Sequence, residues 1–357
     1  MSKTSIEWLP ESRLMDCRTS GDTMGTRYSA RFHATAQAEV RVIASRLEAA
    51  VTAVDRQMSN WKADSDLSRL NRAAPDVWTP VPANLAGVLL RAGEIGRETA
   101  NAFNIGIGEL VDTWGFGPAG SRRPERLPAQ AHALRPIDSL LEIDVDGCRV
   151  RKHGCVSLDL CGIAKGFGVD ELGRVLDAHG IGSWLVGIDG EMRARGSKPD
   201  GAPWAIALES PEEDRRAAMG VIELADAAVA TSGDYRHWAE LDGHRISHTM
   251  DPRTGAPLSN ATTSVTVIAP RCIDADAYAT ALLVLGDEAG AQLAEKLGLD
   301  ALFVVRHGAI LRTAGTGFFG NAWSSAVPGG GLEQDEAGQP EPVDENRYRL
   351  RACPASS

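Results

Sequence analysis

No window of about 18 uninterrupted apolar residues occurs in this 357-residue chain, so no segment reads as a membrane-spanning helix. The first twenty residues, MSKTSIEWLPESRLMDCRTS, hold no apolar run that would serve as the core of an export signal. Cys17 follows Arg13, Leu14, Met15 and Asp16 rather than the hydrophobic segment of a lipoprotein signal, and a cytoplasmic location is the expectation. Basic residues are in deficit, with 37 Lys and Arg against 48 Asp and Glu and a net charge of −11, which argues against nonspecific nucleic-acid binding. Six cysteines, Cys17, Cys148, Cys155, Cys161, Cys272 and Cys353, include no C-x-x-C pair. They are expected to be reduced and mostly to fill core space, not to form a disulfide or zinc framework. A phosphate-binding loop of the G-x-x-x-x-G-K-[ST] type is also missing.

Two patterns that are present fail on context. GTGFFG at Gly315 to Gly320 matches G-x-G-x-x-G but is followed by NAWSSAVPGGG, which is no helix, so it lacks the strand–turn–helix setting of a dinucleotide fingerprint. His244 and His248 have the spacing of zinc ligands on a helix. Turn signals, Asp242-Gly243 and Asp251-Pro252, flank them, and in a strand positions i and i+4 lie about 13 Å apart.

Hydrophobic residues make up 43% of the chain and charged residues 24%, enough to close a sizeable core in a soluble globular protein. Residues 1–20 read as an arm with little pattern. Residues 21–320 alternate strand-like and helix-like stretches without a long linker. The segments at 36–54 and 82–99 have helical periodicity, and short apolar runs at 183–188, 204–208, 228–230, 264–269 and 302–305 read as strands. His307-Gly308 between two apolar runs predicts a hairpin. Residues 321–357, rich in Gly, Pro and acid, are expected to be disordered. Many antiparallel-looking strands mixed with helices favour an α+β fold over a doubly wound sheet.

Four segments carry chemistry. VSLDLCGIAKGFGVD (Val156 to Asp170) reads as a strand, a turn at Gly162 and a helix with Gly180 as its closing residue. A helix N-terminus attracts an anion, and Lys165 in the first turn would add a full charge. DADAYATALLVLG (Asp274 to Gly286) reads as a buried helix with Asp274 as N-cap. Asp276, Ala279 and Thr280 then share one face, and a carboxylate beside a hydroxyl suits Mg²⁺. ATSGDYRHWAELDGHRISHTMDPRTGAP (Ala230 to Pro257) places a turn at Asp242-Gly243 and His248, able to take a proton near neutral pH. NAFNIGIGELVDTWGFGP (Asn101 to Pro118) combines glycines and aromatics in a loop able to approach a ring system. Each also has a plain reading when taken alone: a solvated lysine, a capping Asp with a Thr bonded to its own backbone, a structural histidine, a tight turn over core aromatics.

In order along the chain, TMGTRYSA, MSNWKADSDLSRLN, AFNIGIG with WGFGP, LDLCGIAKGFGVD, ATSGDYR, SHTMDPRTGAPL and ADAYATALLVLG resemble the blocks of the ApbE family, the FAD:protein FMN transferases, over roughly residues 21–320. The resemblance implies a single large α+β domain of mixed, mostly antiparallel strands with packed helices. It implies Mg²⁺-dependent transfer of the FMN part of FAD to a Thr or Ser hydroxyl of a partner flavoprotein, with release of AMP. It further implies that Met24, Ala102, Phe103, Asn104, Asp159, Lys165 and Met250 line the FAD site. Asp276 and Thr280 would hold Mg²⁺ with the carbonyls of Gly162 and Ala279, and His248 would be the base. The chain departs from the family's Gly-Gly-Asp turn at Ile188-Asp189-Gly190-Glu191, has Asn104-Ile105 for a common Asp-Pro, and has Ala279 where some members carry an acid. Two other activities fit the same residues: a Mg²⁺-dependent FAD pyrophosphatase giving FMN and AMP, and a non-catalytic FAD-binding carrier.

Overall fold

The structure is a computed structural model that describes residues 2–9, 14–35, 38–118, 132–212, 217–235, 238–241, 244–308, 310–320 and 348–351. Among the described residues, nine strands form the main sheet: β1 (Lys3–Leu9), β2 (Leu14–Thr23), β3 (Thr26–Thr35), β4 (Trp184–Ile188), β5 (Glu191–Arg195), β6 (Ala228–Gly233), β7 (Thr262–Ala269), β8 (Asp300–His307) and β9 (Ile310–Gly315). Their order across the sheet is their order in the chain, and every neighbouring pair is antiparallel. The helices are α1 (Val40–Met58), α2 (Asp66–Arg72), α3 (Ala83–Glu98), α4 (Gly108–Thr113), α5 (Ala164–Ala178) and α6 (Cys272–Leu297). The first five lie in one excursion between β3 and β4, and α6 lies between β7 and β8. This is the expected α+β arrangement.

Hydrophobic spacing explains which faces pack. On α1, Val40, Ile43, Leu47, Val51, Val54 and Met58 are buried at steps of three and four, a stripe that faces the core. On α5, Val169, Leu172, Val175 and Leu176 meet Trp184, Val186 and Ile188 of β4 in the same cluster. The first half of α6 is buried on nearly every side, from Cys272 through Val284, as expected of a helix enclosed by other elements. It packs on β6, β7 and α5. Among the described residues, no helix is long and apolar enough to cross a membrane.

The predicted strands appear within two or three residues of their expected ends, and the hairpin at His307 pairs that residue with Ile310. Leu241 pairs with His244 across residues 242 and 243, which lie outside the described residues. Several expectations are corrected. Residues 1–20, read as a patternless arm, carry β1 and most of β2. The side chains of β1 are mostly exposed, while β2 buries Asp16, Cys17, Thr19, Gly21 and Thr23, so neither strand shows apolar alternation. Of the segment 321–357, expected to be disordered, residues Tyr348–Arg351 pair antiparallel with the strand Ala218–Leu224; the rest of that call lies outside the described residues. Val156 to Leu160 is not a ladder strand, because its backbone is held by side chains and loops instead. Helix α6 begins at Cys272, with Arg271 rather than Asp274 at its N-cap. Asp274 instead joins Arg271 and Arg91 at 2.7 and 2.8 Å.

Helix α6 also runs past Gly286, where the backbone leaves helical geometry at φ 81°, a conformation open to glycine. The carbonyls freed by this break are not left bare. Asn260 Nδ2 donates to Leu283 O at 2.9 Å, and Arg253 Nη2 donates to Val284 O at 3.1 Å. Arg253 is in turn fixed by Asp251 at 2.8 Å. The Asp-Pro-Arg-Thr-Gly segment is thereby tied to α6.

Helices α5 and α6 approach closely at Gly166, where a Cβ would lie 2.3 Å from the Cys272 carbonyl oxygen and 2.8 Å from Asp276 Cβ. Gly166→Ala must therefore push α5 from α6. A loss of about 1–3 kcal/mol is expected, read from the midpoint and slope of urea unfolding; an unchanged midpoint would contradict this contact.

Candidate active site

Helices α5 and α6 each begin without a cap from their own segment, which leaves amide N–H groups unsatisfied. Each takes a carboxylate from the other. Asp170 on α5 accepts the amides of Cys272 and Ile273, both at 3.0 Å, and receives Arg193 Nη1 at 2.8 Å. Asp276 on α6 accepts the amide of Gly166 at 2.9 Å, in the third position of α5. Anionic caps suit the positive end of a helix dipole. Burial raises the Asp170 pKa, while Arg193 and the two amides work against that rise.

Around this junction lies a cleft of about 1010 Å³. Ala102, Phe103, Asn104, Asp159, Gly162, Lys165, His248, Met250, Asp276 and Thr280 all line it. Met24 and Ala279 do not. Met24 sits at φ 47° in the turn joining β2 to β3, where its neighbours Gly25 and Thr26 face the cleft. Its side chain reaches toward α5 at Gly168. Ala279 is fully buried, between two residues of α6 that do reach the cleft.

Lys165 Nζ donates to Glu191 Oε1 at 2.6 Å and lies 3.5 Å from Asp189 Oδ2. Burial acts to lower its pKa, but Glu191, Asp276 and Asp189 outweigh burial and hold the ammonium above its usual range. Asp276 is fully enclosed and its pKa is pushed up to about 7, first by burial and then by the charge of Glu191, against the pull of Lys165 and the Gly166 amide. Thr280 Oγ1 is 3.0 Å from Ser232 Oγ. A Cβ on Gly162 would come within 3.0 Å of the same Thr280 oxygen, so the Gly162 backbone is close to the hydroxyl. Of the residues expected from sequence as cation ligands, Gly162, Asp276 and Thr280 line the cleft and Ala279 does not; their carboxylate, hydroxyl and carbonyl oxygens are of the kind a hard divalent cation takes. Among the described residues no group of three or more His, Cys, Asp or Glu side chains forms a metal cluster, so such a cation would rest on mixed carboxylate, hydroxyl and carbonyl oxygens.

The segment before α5 is fixed by residues the sequence did not single out. Asn71 accepts the Leu158 amide at 2.8 Å and donates to the Leu158 carbonyl at 2.9 Å. Asn60 donates to Asp159 Oδ2 at 2.8 Å, and the other Asp159 oxygen accepts the Cys161 amide at 2.8 Å. Asp159 is buried, which raises its pKa against the Cys161 hydrogen bonds. Asn104 uses its own side chain structurally, accepting from the Gly106 amide at 2.7 Å and donating to Arg135 O at 3.0 Å. His248 is half-buried, its ring edge-on to Phe116 with centroids 6.4 Å apart, and Met250 packs with Trp114 and Ile246. Asn60, Asn71, Asp189 and Ser232 went unassigned in sequence. All four stand within or beside motif blocks, but their partners are tens of residues away.

The chain is an α+β domain whose cleft brings together the ammonium of Lys165, the buried carboxylate of Asp276, the hydroxyl of Thr280 and the ring of His248. Comparison with known proteins identifies the class. The ApbE family profile matches residues 24–303. A FAD:protein FMN transferase of Vibrio cholerae is 37% identical over 291 residues, covering 80% of this chain and 86% of that protein. The Escherichia coli K12 FAD:protein FMN transferase is 32% identical over 300 residues, with 82% and 85% covered. Among solved structures, the apo flavinyl transferase ApbE of Pseudomonas stutzeri aligns with a TM-score of 0.75 at 35% identity, covering 88% of this chain and 96% of that one. The flavin transferase ApbE from Vibrio cholerae gives 0.74 at 32% identity, covering 89% and 99%. The chain belongs to the ApbE family.

Asp170→Ala removes the cap of α6 and leaves Arg193 without its carboxylate. It is expected to cost about 1–3 kcal/mol, with Asp170→Asn intermediate; equal urea midpoints for all three proteins would refute the capping role.

Proposed function

We propose that the protein transfers the FMN moiety of FAD to a Thr or Ser hydroxyl of a partner flavoprotein and releases AMP. The observation that carries this reading is the gathering of Lys165, Asp276, Thr280 and His248 around one cleft, in a chain of the ApbE family. The name of its relatives, FAD:protein FMN transferase, supports FAD as donor and a protein as acceptor.

The residues divide the work. Asp276 and Thr280, with the carbonyls of Gly162 and Ala279, would hold Mg²⁺. When bound, the ion supplies neutralisation of the pyrophosphate charge. The buried, raised-pKa Asp276 fits a cation partner, because burial and a neighbouring carboxylate penalise its charge until a positive group compensates. Lys165, in the first turn of α5, would face phosphate oxygens at the positive end of the helix dipole. Ala102, Phe103, Asn104, Asp159, Met24 and Met250 are assigned to the FAD site. His248 takes the proton from the acceptor hydroxyl as its oxygen bonds the FMN phosphorus. The bond from that phosphorus to the bridging oxygen breaks, and AMP leaves with the oxygen.

Incubation with FAD, Mg²⁺ and candidate acceptor domains, read by intact mass, tests the reading. An acceptor carrying FMN supports it; release of FMN and AMP at the same rate without any acceptor would make the protein a pyrophosphatase instead. Asp276→Asn is chosen over Asp276→Ala because the amide oxygen still accepts the Gly166 N–H. It is expected to keep the unfolding midpoint close to the parent while transfer falls by about a hundredfold or more. Parent-level transfer by a folded Asp276→Asn protein would remove Asp276 from metal binding.

His248→Ala is expected to bind FAD normally and to slow transfer by about 10²–10⁴-fold. A variant as fast as the parent across the pH range would exclude His248 as the base.

A further inference from the structure

Lys165 is engaged by two carboxylates of unequal character. Glu191, with a side chain 5% exposed, meets it at 2.6 Å, while Asp189, 41% exposed, lies at 3.5 Å. Asp189 occupies the turn between β4 and β5 with φ 61°, a left-handed conformation that glycine adopts freely and other residues rarely do. Its second oxygen accepts Thr26 Oγ1 at 3.1 Å. The carboxylate is thus fixed on the wall of the cleft between Thr26 and Lys165, all three being lining residues.

We propose that Asp189 competes with the ligand's phosphate for Lys165 and so limits how tightly the cleft holds its dinucleotide. The inference rests on the reading that Lys165 faces phosphate oxygens. Glu191 is the buried arm and keeps the ammonium in position by itself. Asp189 is the outer arm and adds little to that position, but it puts a negative charge where phosphate oxygens approach. Oxygens of the ligand must therefore displace Asp189 from Lys165 and tolerate its charge nearby. The benefit to a transferase is release, since a cleft that binds the pyrophosphate less tightly frees its nucleotide product sooner.

The test is calorimetric binding of FAD and of AMP to the full chain without Mg²⁺, at low and high salt, for the parent, Asp189→Asn and Asp189→Gly. Asparagine keeps an acceptor for Thr26 and tolerates the left-handed turn; glycine removes the side chain altogether. Both variants are expected to bind FAD about threefold to tenfold more tightly than the parent at low salt, and the gap should narrow as salt screens the charge. Urea midpoints of Asp189→Asn and the parent should coincide, which separates a charge effect from a change in folding. Equal or weaker FAD binding by Asp189→Asn overturns the proposal. A gain that ignores salt overturns it too, since shape and not charge would then be the cause. A parent protein that binds neither FAD nor AMP, with Mg²⁺ added as well as without it, would instead undo the functional reading, and this inference with it.

Discussion

The N-termini of α5 and α6 depend on each other, and the cleft depends on both. Neither helix brings a capping side chain in its own chain segment. Asp170 and Asp276 exchange that service across the interface, at 2.9 to 3.0 Å from the amides they accept. The exchange requires the helices to approach closely, which Gly166 permits. It also sets the two helix N-termini, with their partial positive charge, beside one another, with Lys165 of α5 and Asp276 of α6 lining the cleft. Asp276 serves twice in this arrangement. One oxygen is bound to the α5 backbone, and on the proposed reading the other would take the cation.

Outside that junction, strands β5 and β6 supply part of the cleft wall, and the loops of the rest are set by side chains gripping the backbone. Asn71 holds both polar groups of Leu158, and Asn60 holds Asp159. Asn260 and Arg253 take up the carbonyls exposed where α6 breaks at Gly286. Buried backbone groups need partners, and here the partners come from segments distant in sequence. The consequence is positional: the loop before α5, the start of α5 and the Asp-Pro-Arg-Thr-Gly turn are each pinned to a regular element. The nine-stranded meander then serves as a frame whose long excursions carry the cleft.

How much of this was legible in the sequence follows from where each signal resides. Helix α1 was readable because Val40, Ile43, Leu47 and Val51 repeat at helical spacing, and β7 and β8 because their apolar runs are continuous. Strand β2 was not readable because its buried side carries Asp16, Thr19 and Thr23. The aspartate is buried only because Arg18 and Arg31 meet it at 2.8 and 2.9 Å, pairings that no local pattern announces. Val156 to Leu160 looks like a strand because it alternates, yet its hydrogen bonds go to side chains. Asp274 looks like a cap because it precedes an apolar run, but arginines claim it and a carboxylate on another helix fills the role. In the cleft, ordered motif blocks located most of the lining residues. Glu191, Ser232, Asn60 and Asp189 acquire meaning only when the fold brings them to Lys165, Thr280, Asp159 and Thr26.

The electrostatics of the cleft join these observations. Three carboxylates, Asp189, Glu191 and Asp276, act on one ammonium, and two of the three are buried. Buried carboxylates are costly unless compensated, and Lys165 alone cannot compensate all of them. The imbalance is expressed most at Asp276, whose pKa is pushed up to about 7. A hard cation beside Asp276 relieves the imbalance there, and Lys165 is then left to the phosphate side. The same cation would give a polyanionic ligand a reason to enter an acidic cleft in an acidic protein. On the proposed reading, Asp189 is the exposed one of the three carboxylates and the one left to oppose the ligand directly.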